Sequence, residues 1–240
     1  MVPEKSLACI GISAPPGILP RMPPRGKGGT QERATPKRSP ASVRPTLPRE
    51  FIAQHKQRRI MDALAELTAE QGYEATKISD IVRRAGVARK TLYDNFEGKE
   101  EVFLAAFDSA RDEVFRRVEE GAAGADGEWQ DQIEGGLAAF LGYVAEQPTL
   151  ARMCMIEALS ATPATTKRYE DAMETVVELA QKTLPKDGRL PDTVAETLVG
   201  GVAWIVYQQI RRGDAERAED LLPELTEFMM APYLGAGIAE

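Results

Sequence analysis

The sequence predicts an all-α protein, and three observations lead to this prediction. From Arg49 onward, apolar residues recur at the three- and four-residue spacing of one helix face. No segment alternates apolar and polar residues in the way that a half-buried strand does. Gly72, Gly86 and Gly98 fall where one periodic segment ends and the next begins. With 240 residues, 43% of them hydrophobic, the chain is long enough to bury a substantial core.

Residues 1–47 differ from the rest of the chain in composition. They hold nine of the 16 prolines, together with Gly, Arg and Lys, and show no periodicity. Such a segment buries too little apolar surface to offset its ordering entropy, so we predict a disordered basic tail. It fits a signal peptide poorly, and no apolar run reaches the roughly 18 residues of a membrane span, so we expect a cytoplasmic protein with no membrane partner. Met22 leaves open whether residues 1–21 are translated.

Charge is distributed unevenly along a chain of net charge -7. Residues 1–50 hold nine Lys and Arg against three Asp and Glu, whereas residues 100–240 hold twelve against 27. A basic N-terminal portion on an acidic body indicates that the basic part meets a polyanion. The alternative is a basic tail without a partner.

The first half of the periodic region predicts four helices. The first runs from Arg49 to about Gln71 and carries Ile60, Leu64 and Leu67 on one stripe. Thr76 is placed as the N-cap of a short helix over residues 77–85, and a second short helix follows the Gly86 turn over about residues 88–94. A long helix begins near Gly98, with an apolar stripe that runs from residue 103 to residue 118.

The second half predicts further amphipathic helices after a break. The run GAAGADG, residues 121–127, is interpreted as that break and as a boundary between two regions. Helices are then expected from Trp129 to Pro148, from Leu150 to Ser160, after the cap and proline of Thr162-Pro163, and after Pro191. The segment LLPELTEFMMAPYL closes the helical region.

The two short helices and their turn form a predicted helix-turn-helix. The first helix of such a unit must be apolar enough to hold the second, the turn must be small, and the second helix must present short polar and cationic side chains. The stretch ISDIVRRAGVARKTLYDNF meets all three requirements. Arg83 and Arg84 are expected on a solvated face, and Phe96 in the core.

The segment TKISDIVRRAGVARKTLYDNFEGKEEVF resembles the DNA-binding signature of the tetracycline-repressor (TetR) family. The specific match covers about residues 56–117, with the motif proper at residues 77–96. The resemblance implies an N-terminal three-helix DNA-binding domain over residues 48–97, and a connecting helix with a Gly-rich joint over residues 98–127. It also implies a helical ligand-binding and dimerisation domain over residues 128–240, and therefore a homodimeric regulator, commonly a repressor, of a double-stranded DNA operator.

The resemblance also implies roles for single residues. Residues 89–91 would start the recognition helix and face the major groove, while Tyr93 and Lys99 would hold phosphates. Packing of Tyr93 in the core is the alternative. Ala88 stands where the family has a capping Ser or Thr, which costs about 1 kcal/mol of local stability. The predicted DNA-binding residues are Lys77, Arg89, Lys90, Thr91, Tyr93 and Lys99.

The helix after Pro191 is apolar on more than one face, as expected for a helix between its own core and a partner subunit. Together with the last segment it predicts a four-helix dimer interface. A central core helix of a monomer is the alternative. The predicted interface residues are Val194, Leu198, Gly201, Val202, Ile205, Leu221, Leu225 and Phe228.

A pocket for an unidentified small-molecule effector is predicted from adaptable side chains, since Met and aromatic residues accommodate varied apolar ligands. Ordinary core packing is the alternative for each of them. Gly135-Gly136 inside a helix indicates close packing or room for a ligand. The predicted pocket residues are Phe140, Tyr143, Met153, Cys154, Glu157, Met173, Trp204 and Tyr207.

The sequence argues against an enzyme and against metal or cofactor sites. His55 is the only histidine, the two cysteines are far apart in the sequence, and GKGG at 26–29 does not match a phosphate-binding loop. We therefore predict no catalytic residue, no metal and no cofactor. The alternatives to a regulator are a ligand-binding or scaffolding helical protein with a vestigial helix-turn-helix and an enzyme that acts through carboxylates.

Overall fold

The computed structural model describes residues 49–234, apart from residues 124–126, 187 and 189, with side chains described from Ala53 onward. Every regular element in this part of the chain is a helix, which confirms the predicted all-α class. The predicted basic tail, residues 1–47, lies outside the described residues. The helices are α1 (Arg49–Gln71), α2 (Ile78–Ala85), α3 (Arg89–Tyr93), α4 (Lys99–Ala123), α5 (Trp129–Glu146), α6 (Pro148–Arg152), a π-helical turn (Met153–Glu157), α7 (Ala158–Ala161), α8 (Pro163–Thr183), α9 (Val194–Arg212), a 3₁₀ segment (Ala215–Leu221) and α10 (Leu222–Leu234).

Two glycines end the first two helices in the left-handed conformation that side chains other than glycine rarely adopt. Gly72 follows α1 with a φ of 81°, and Gly86 follows α2 with a φ of 61°. At the second site the Gly86 N–H donates to the Arg83 carbonyl and the Val87 N–H donates to the Val82 carbonyl, which is a Schellman motif. The predicted stop and turn are therefore both present.

The predicted N-cap at Thr76 is wrong. Helix α2 begins at Ile78, its N-cap is Lys77, and no side chain caps it. Thr76 is instead buried, and its hydroxyl donates at 2.8 Å to the Gly72 carbonyl at the end of α1. A threonine hydroxyl can satisfy a terminal carbonyl of one helix or an amide of the next, and here the preceding helix takes it.

The predicted break over residues 121–127 needs correction as well, because α4 continues through residues 121–123. A Cβ atom on Gly135 would lie 2.3 Å from the Gly121 carbonyl oxygen, and one on Gly121 would lie 2.5 Å from the Gly135 carbonyl oxygen. Helices α4 and α5 thus cross with their backbones in contact. This close packing explains why a glycine is needed at position 135. Residues 124–126 of the predicted break lie outside the described residues.

Helix α8 begins as predicted at Thr162-Pro163. The Thr165 N–H donates to the Thr162 hydroxyl at 3.2 Å, and the Thr162 N–H donates to the Thr165 hydroxyl at 3.0 Å, which completes a capping box. Pro163 occupies the first turn of α8. An N–H group at that position would have no acceptor within the helix, so proline loses no hydrogen bond there.

Two hydrophobic clusters fill the interior. The N-terminal cluster combines α1–α4 with the region around the π-helical turn; its large members are Ile60, Leu64, Leu67, Tyr73, Ile81, Leu92, Phe96, Phe103, Phe107 and Met153. The C-terminal cluster combines α5, α9 and α10 with parts of α6 and α8; its large members are Ile133, Leu141, Val144, Leu184, Leu198, Val199, Val202, Val206, Ile210, Leu225 and Met229.

Candidate nucleic-acid interface and ligand cavity

Helix α3 is held on the N-terminal cluster by one face and exposes the other. Leu92 is fully buried and Phe96 nearly so, while Arg89, Lys90 and Tyr93 are exposed and Thr91 is half-buried. Lys77 is exposed at the start of α2. The helix thus presents a polar, cationic surface that a duplex could contact.

Two side chains on this surface support each other. The Arg89 guanidinium donates to the Tyr93 hydroxyl at 3.3 Å and lies 5.6 Å from the centre of its ring. Tyr93 is 45% exposed, so its hydroxyl remains accessible. Both features orient Arg89 along the outer face of α3. Ala88 precedes the helix in extended conformation without a side-chain cap, as predicted from its identity.

Lys99 has an internal role that its sequence position did not indicate. Its ammonium donates to the Tyr73 carbonyl at 2.8 Å and lies 3.8 Å from the centre of the Tyr73 ring. Burial lowers the pKa of Lys99, and the charge of Glu74 partly opposes that shift. The Glu97 N–H near the start of α4 donates to the Glu101 carboxylate. Phosphate binding by Lys99 would therefore compete with these contacts.

The cations of α2 are paired within the chain. Arg84 binds Glu66 at 2.9 Å and Glu70 at 2.8 Å on α1, and Arg83 binds Asp80 at 2.9 Å. Hydrogen bonding to Arg84 lowers the pKa of the exposed Glu70 carboxyl. These exposed pairs agree with the predicted solvated face of α2.

Arg59 supports the turn before α3, and sequence reasoning did not single it out. Its guanidinium donates to the Gly86 carbonyl at 3.2 Å, and a Cβ atom on Gly86 would lie 2.6 Å from the same nitrogen. An arginine in the middle of α1 has no sequence signal that links it to a turn 27 residues later.

An apolar cavity of about 360 Å³ lies between α4, α5, α8 and α9. This volume is within the range of small-molecule sites. Its wall consists mainly of aliphatic and aromatic side chains; these include Phe107, Val114, Phe115, Val118, Ile133, Leu137, Phe140, Met155, Met173, Val176, Leu179, Val199 and Val202. Charged side chains also reach it from α4 and α8: Arg111, Glu119, Glu178 and Lys182.

The polar groups deep in this cavity are neutral. Desolvation raises the pKa of the Cys154 thiol to about 12, with a smaller contribution from the Asp108 charge. Burial also raises the pKa of the Tyr143 hydroxyl to about 12. A neutral thiol and a neutral phenol add no charge to this part of the wall, which favours an uncharged part of a ligand there.

Residues 60–106 match the family model for bacterial regulatory proteins of the tetR family. This segment of the chain thus resembles the DNA-binding region of TetR-family regulators. The match covers α2 and α3 completely, together with the parts of α1 and α4 that pack against them. It confirms the resemblance on which the predicted DNA-binding residues rest.

Curated relatives extend the comparison. The chain is 37% identical over 65 residues to the fatty acid metabolism regulator protein of Bacillus subtilis, a match that covers 27% of the chain and 34% of that relative. The alignment thus spans about a third of the relative's length. Two uncharacterised helix-turn-helix regulators of B. subtilis match over similarly short segments.

Solved structures match the fold over most of their length. The fatty acid degradation regulator FadR of Bacillus halodurans has a TM-score of 0.64 at 18% identity, covering 73% of this chain and 94% of its own. FadR of B. subtilis in complex with stearoyl-CoA has a TM-score of 0.63 at 19% identity, covering 72% and 96%. These relatives and neighbours are regulators, which supports the prediction that the chain is not an enzyme. None of the helices that the structure describes could cross a membrane.

The predicted pocket residues divide into two groups. Four of them line the cavity: Phe140, Tyr143, Cys154 and Met173. The other four do not. Met153 is fully buried in the N-terminal cluster, and the Glu157 carboxylate faces the turn after α1. Trp204 is 60% exposed and stacks on Tyr207 with ring centres 5.5 Å apart, so both belong to the outer face of α9.

The predicted dimer residues also divide, because α9 and α10 pack on each other within one chain. Leu198, Val202 and Leu225 are buried in the C-terminal cluster and cannot reach a partner. Val194, Ile205 and Leu221 are half-buried and pack against the same cluster. The Phe228 ring covers Gly201, where a Cβ atom would lie 2.7 Å from the ring. The dimer interface on α9 and α10 stays a prediction, and it cannot include Leu198, Val202 and Leu225, which face the core of their own chain.

Proposed function

We propose that the chain is a homodimeric, DNA-binding transcriptional repressor that an amphipathic ligand with a long apolar chain releases from its operator. The observation that carries this proposal is one helix, α4, which follows the exposed cationic helix-turn-helix and then forms a wall of the apolar cavity. Helix α4 would thus connect the DNA-binding surface directly to the ligand cavity. Residues 48–97, 98–127 and 128–240 would serve as reader, connector and sensor in a cytoplasmic protein.

Helix α3 would read the major groove. Arg89 and Lys90 are the exposed cations nearest its N-terminus, where recognition helices meet base edges. Thr91 would contact a base or the backbone beside them. Tyr93 would donate its hydroxyl to a phosphate while its ring orients Arg89. Lys77 at the start of α2 would add a backbone contact.

The outer face of α9 and α10 would form the dimer interface. Trp204 and Phe228 are exposed, and Tyr207 stacks on Trp204. Exposed aromatics of this size are common at the centre of protein interfaces. Two chains related by a two-fold axis would present their α3 helices to successive major grooves, about 34 Å apart.

A fatty acyl chain is the ligand that the cavity supports best. The wall is apolar, its inner polar groups are neutral, and charged residues of α4 and α8 are available for a polar head group. FadR of B. subtilis was solved with stearoyl-CoA, and the curated relative is a fatty acid metabolism regulator. The ligand would favour a conformer in which the two α3 helices no longer match their half-sites.

The first test is binding of the protein to the DNA that flanks its own gene, at two salt concentrations and with or without stearoyl-CoA. We expect selective binding that weakens at higher salt and on addition of stearoyl-CoA. Arg89→Ala should cost about 1–3 kcal/mol of binding free energy and relax base preference. Arg217→Ala, in the exposed 3₁₀ segment, is the control and should bind normally.

Two outcomes would refute parts of the proposal. Absence of binding to any duplex at low salt would refute the proposal that the chain is a DNA-binding regulator. The alternative, a ligand-binding or scaffolding helical protein, would then be favoured. Tight operator binding that no acyl-CoA or fatty acid weakens would refute the ligand class alone. Sedimentation of Trp204→Glu beside Arg217→Glu tests the interface, and only the first change should give monomers.

A further inference from the structure

The helix that runs from Pro148 to Ala161 contains a π-helical turn at Met153–Glu157. Such turns are rare, hold one residue more than an α-helical turn and occur frequently at functional sites. This one lies between the two hydrophobic clusters. Met153 belongs to the N-terminal cluster, whereas Met155 and Ile156 pack against the C-terminal cluster.

The same turn contacts the cavity on one side. Cys154 and Met155 both line it. Cys154 also packs against the N-terminal cluster, so a ligand that presses on this residue acts on the core that supports the helix-turn-helix. Dense packing transmits such a displacement instead of absorbing it.

Glu157, the last residue of the turn, binds the DNA-reading unit. One carboxylate oxygen accepts a hydrogen bond at 3.3 Å from the backbone N–H of Tyr73, in the turn between α1 and α2. The side chain is only 14% exposed. The other carboxylate oxygen lies 3.8 Å from the Arg152 guanidinium, which is a long contact. Within the described part of the chain, the Tyr73 amide is therefore the closest polar partner of the Glu157 carboxylate.

Tyr73 connects this contact to the start of α4. Its carbonyl accepts the hydrogen bond of Lys99, and its ring packs edge-on against Phe103 at 5.5 Å between ring centres. A continuous set of contacts therefore runs from Cys154 and Met155, through Glu157 and Tyr73, to the first turns of α4.

We propose that Glu157 is the positioning residue that couples occupancy of the cavity to the helix-turn-helix. The inference rests on the proposed function and assigns its regulation to one contact. A chain that packs against Cys154 and Met155 shifts the π-helical turn toward α-helical spacing, and Glu157 then turns away from the Tyr73 amide. The turn between α1 and α2 is released, and the two reading helices lose their fixed orientation.

The test compares Glu157→Ala, Glu157→Gln and the control Glu170→Ala, which alters an exposed carboxylate on α8. Hydrogen exchange of the Tyr73 amide needs no DNA. We expect it to be about tenfold faster in Glu157→Ala, since the acceptor of that N–H is gone. The Gln variant keeps an acceptor oxygen and should stay near wild type. Stearoyl-CoA should accelerate exchange of this amide in the wild type and have little further effect in Glu157→Ala.

Operator binding supplies the second readout. Stearoyl-CoA should raise the operator Kd of the wild type and of Glu170→Ala by the same factor, and that factor should fall toward one in Glu157→Ala. Ligand affinity, followed by protein fluorescence, should rise by up to about tenfold in the Ala variant, because the ligand no longer has to break the contact of Glu157 with the Tyr73 amide. An unchanged factor with intact ligand binding overturns the coupling role.

The two proposals fail in different ways. If the wild type binds no stearoyl-CoA, the proposed ligand class fails, and the exchange rate of Tyr73 in Glu157→Ala alone decides whether Glu157 holds this turn. If the ligand binds and the Tyr73 amide exchanges equally in all four proteins, the coupling is refuted and the proposed ligand class stands.

Discussion

Two adjacent glycines of α5 should respond oppositely to the same substitution. Replacement of either glycine by alanine in a helix interior adds about 1 kcal/mol of stability through helix propensity. At Gly136 the new Cβ would meet the Val118 side chain at 3.5 Å, an ordinary contact distance. At Gly135 it would lie 2.3 Å from the Gly121 carbonyl oxygen, so α4 and α5 must separate.

The difference between the two variants isolates the cost of that overlap, because the propensity gain cancels. Overpacking of this kind costs about 1–3 kcal/mol. We therefore expect Gly136→Ala to be stabilised by up to about 1 kcal/mol, and Gly135→Ala to be less stable than it by about 1–3 kcal/mol.

Urea unfolding at one fixed protein concentration measures this difference, since stability of an oligomer depends on concentration. Gly121→Ala is a further check, because its Cβ would lie 2.5 Å from the Gly135 carbonyl oxygen and should reproduce the Gly135 effect. Equal stabilisation of Gly135→Ala and Gly136→Ala would refute the backbone contact between α4 and α5.

Three more predictions concern stability. The raised pKa of Cys154 means that the unfolded chain loses this proton near pH 9 while the folded chain keeps it to about pH 12, so stability should fall with pH across that window. The free energy of unfolding, measured with urea, should fall less between pH 8 and pH 10.5 in Cys154→Ala than in the wild type. Arg168 binds both Asp108 oxygens at 2.6 Å, and since the pair is partly exposed, Arg168→Ala should cost about 1 kcal/mol in chemical denaturation. Thr162→Ala should cost about 1 kcal/mol through loss of the capping box, seen as a lower midpoint on heating.

The sequence by itself determined the all-α fold class, the approximate positions of the helices and the presence of the helix-turn-helix. Apolar spacing located the helices because one face of each must be buried, and Gly72 and Gly86 marked ends that require a positive φ. The spacing of Leu92 and Phe96 fixed which face of α3 points inward, and the exposed Arg89 and Tyr93 followed from it. All these signals are local, since a few neighbouring residues carry them.

The tertiary structure decided how side chains with several possible partners are used. A threonine such as Thr76 can serve either of two helices, and Lys99 can bind a phosphate or a carbonyl, so only the neighbours in space select the partner. The carboxylate of Glu157 and its amide on Tyr73 are 84 residues apart. Periodicity shows that α9 is apolar on several sides, and only packing against α10 determines which side stays accessible to a partner. Contacts between distant residues depend on how the helices cross, which no local pattern encodes.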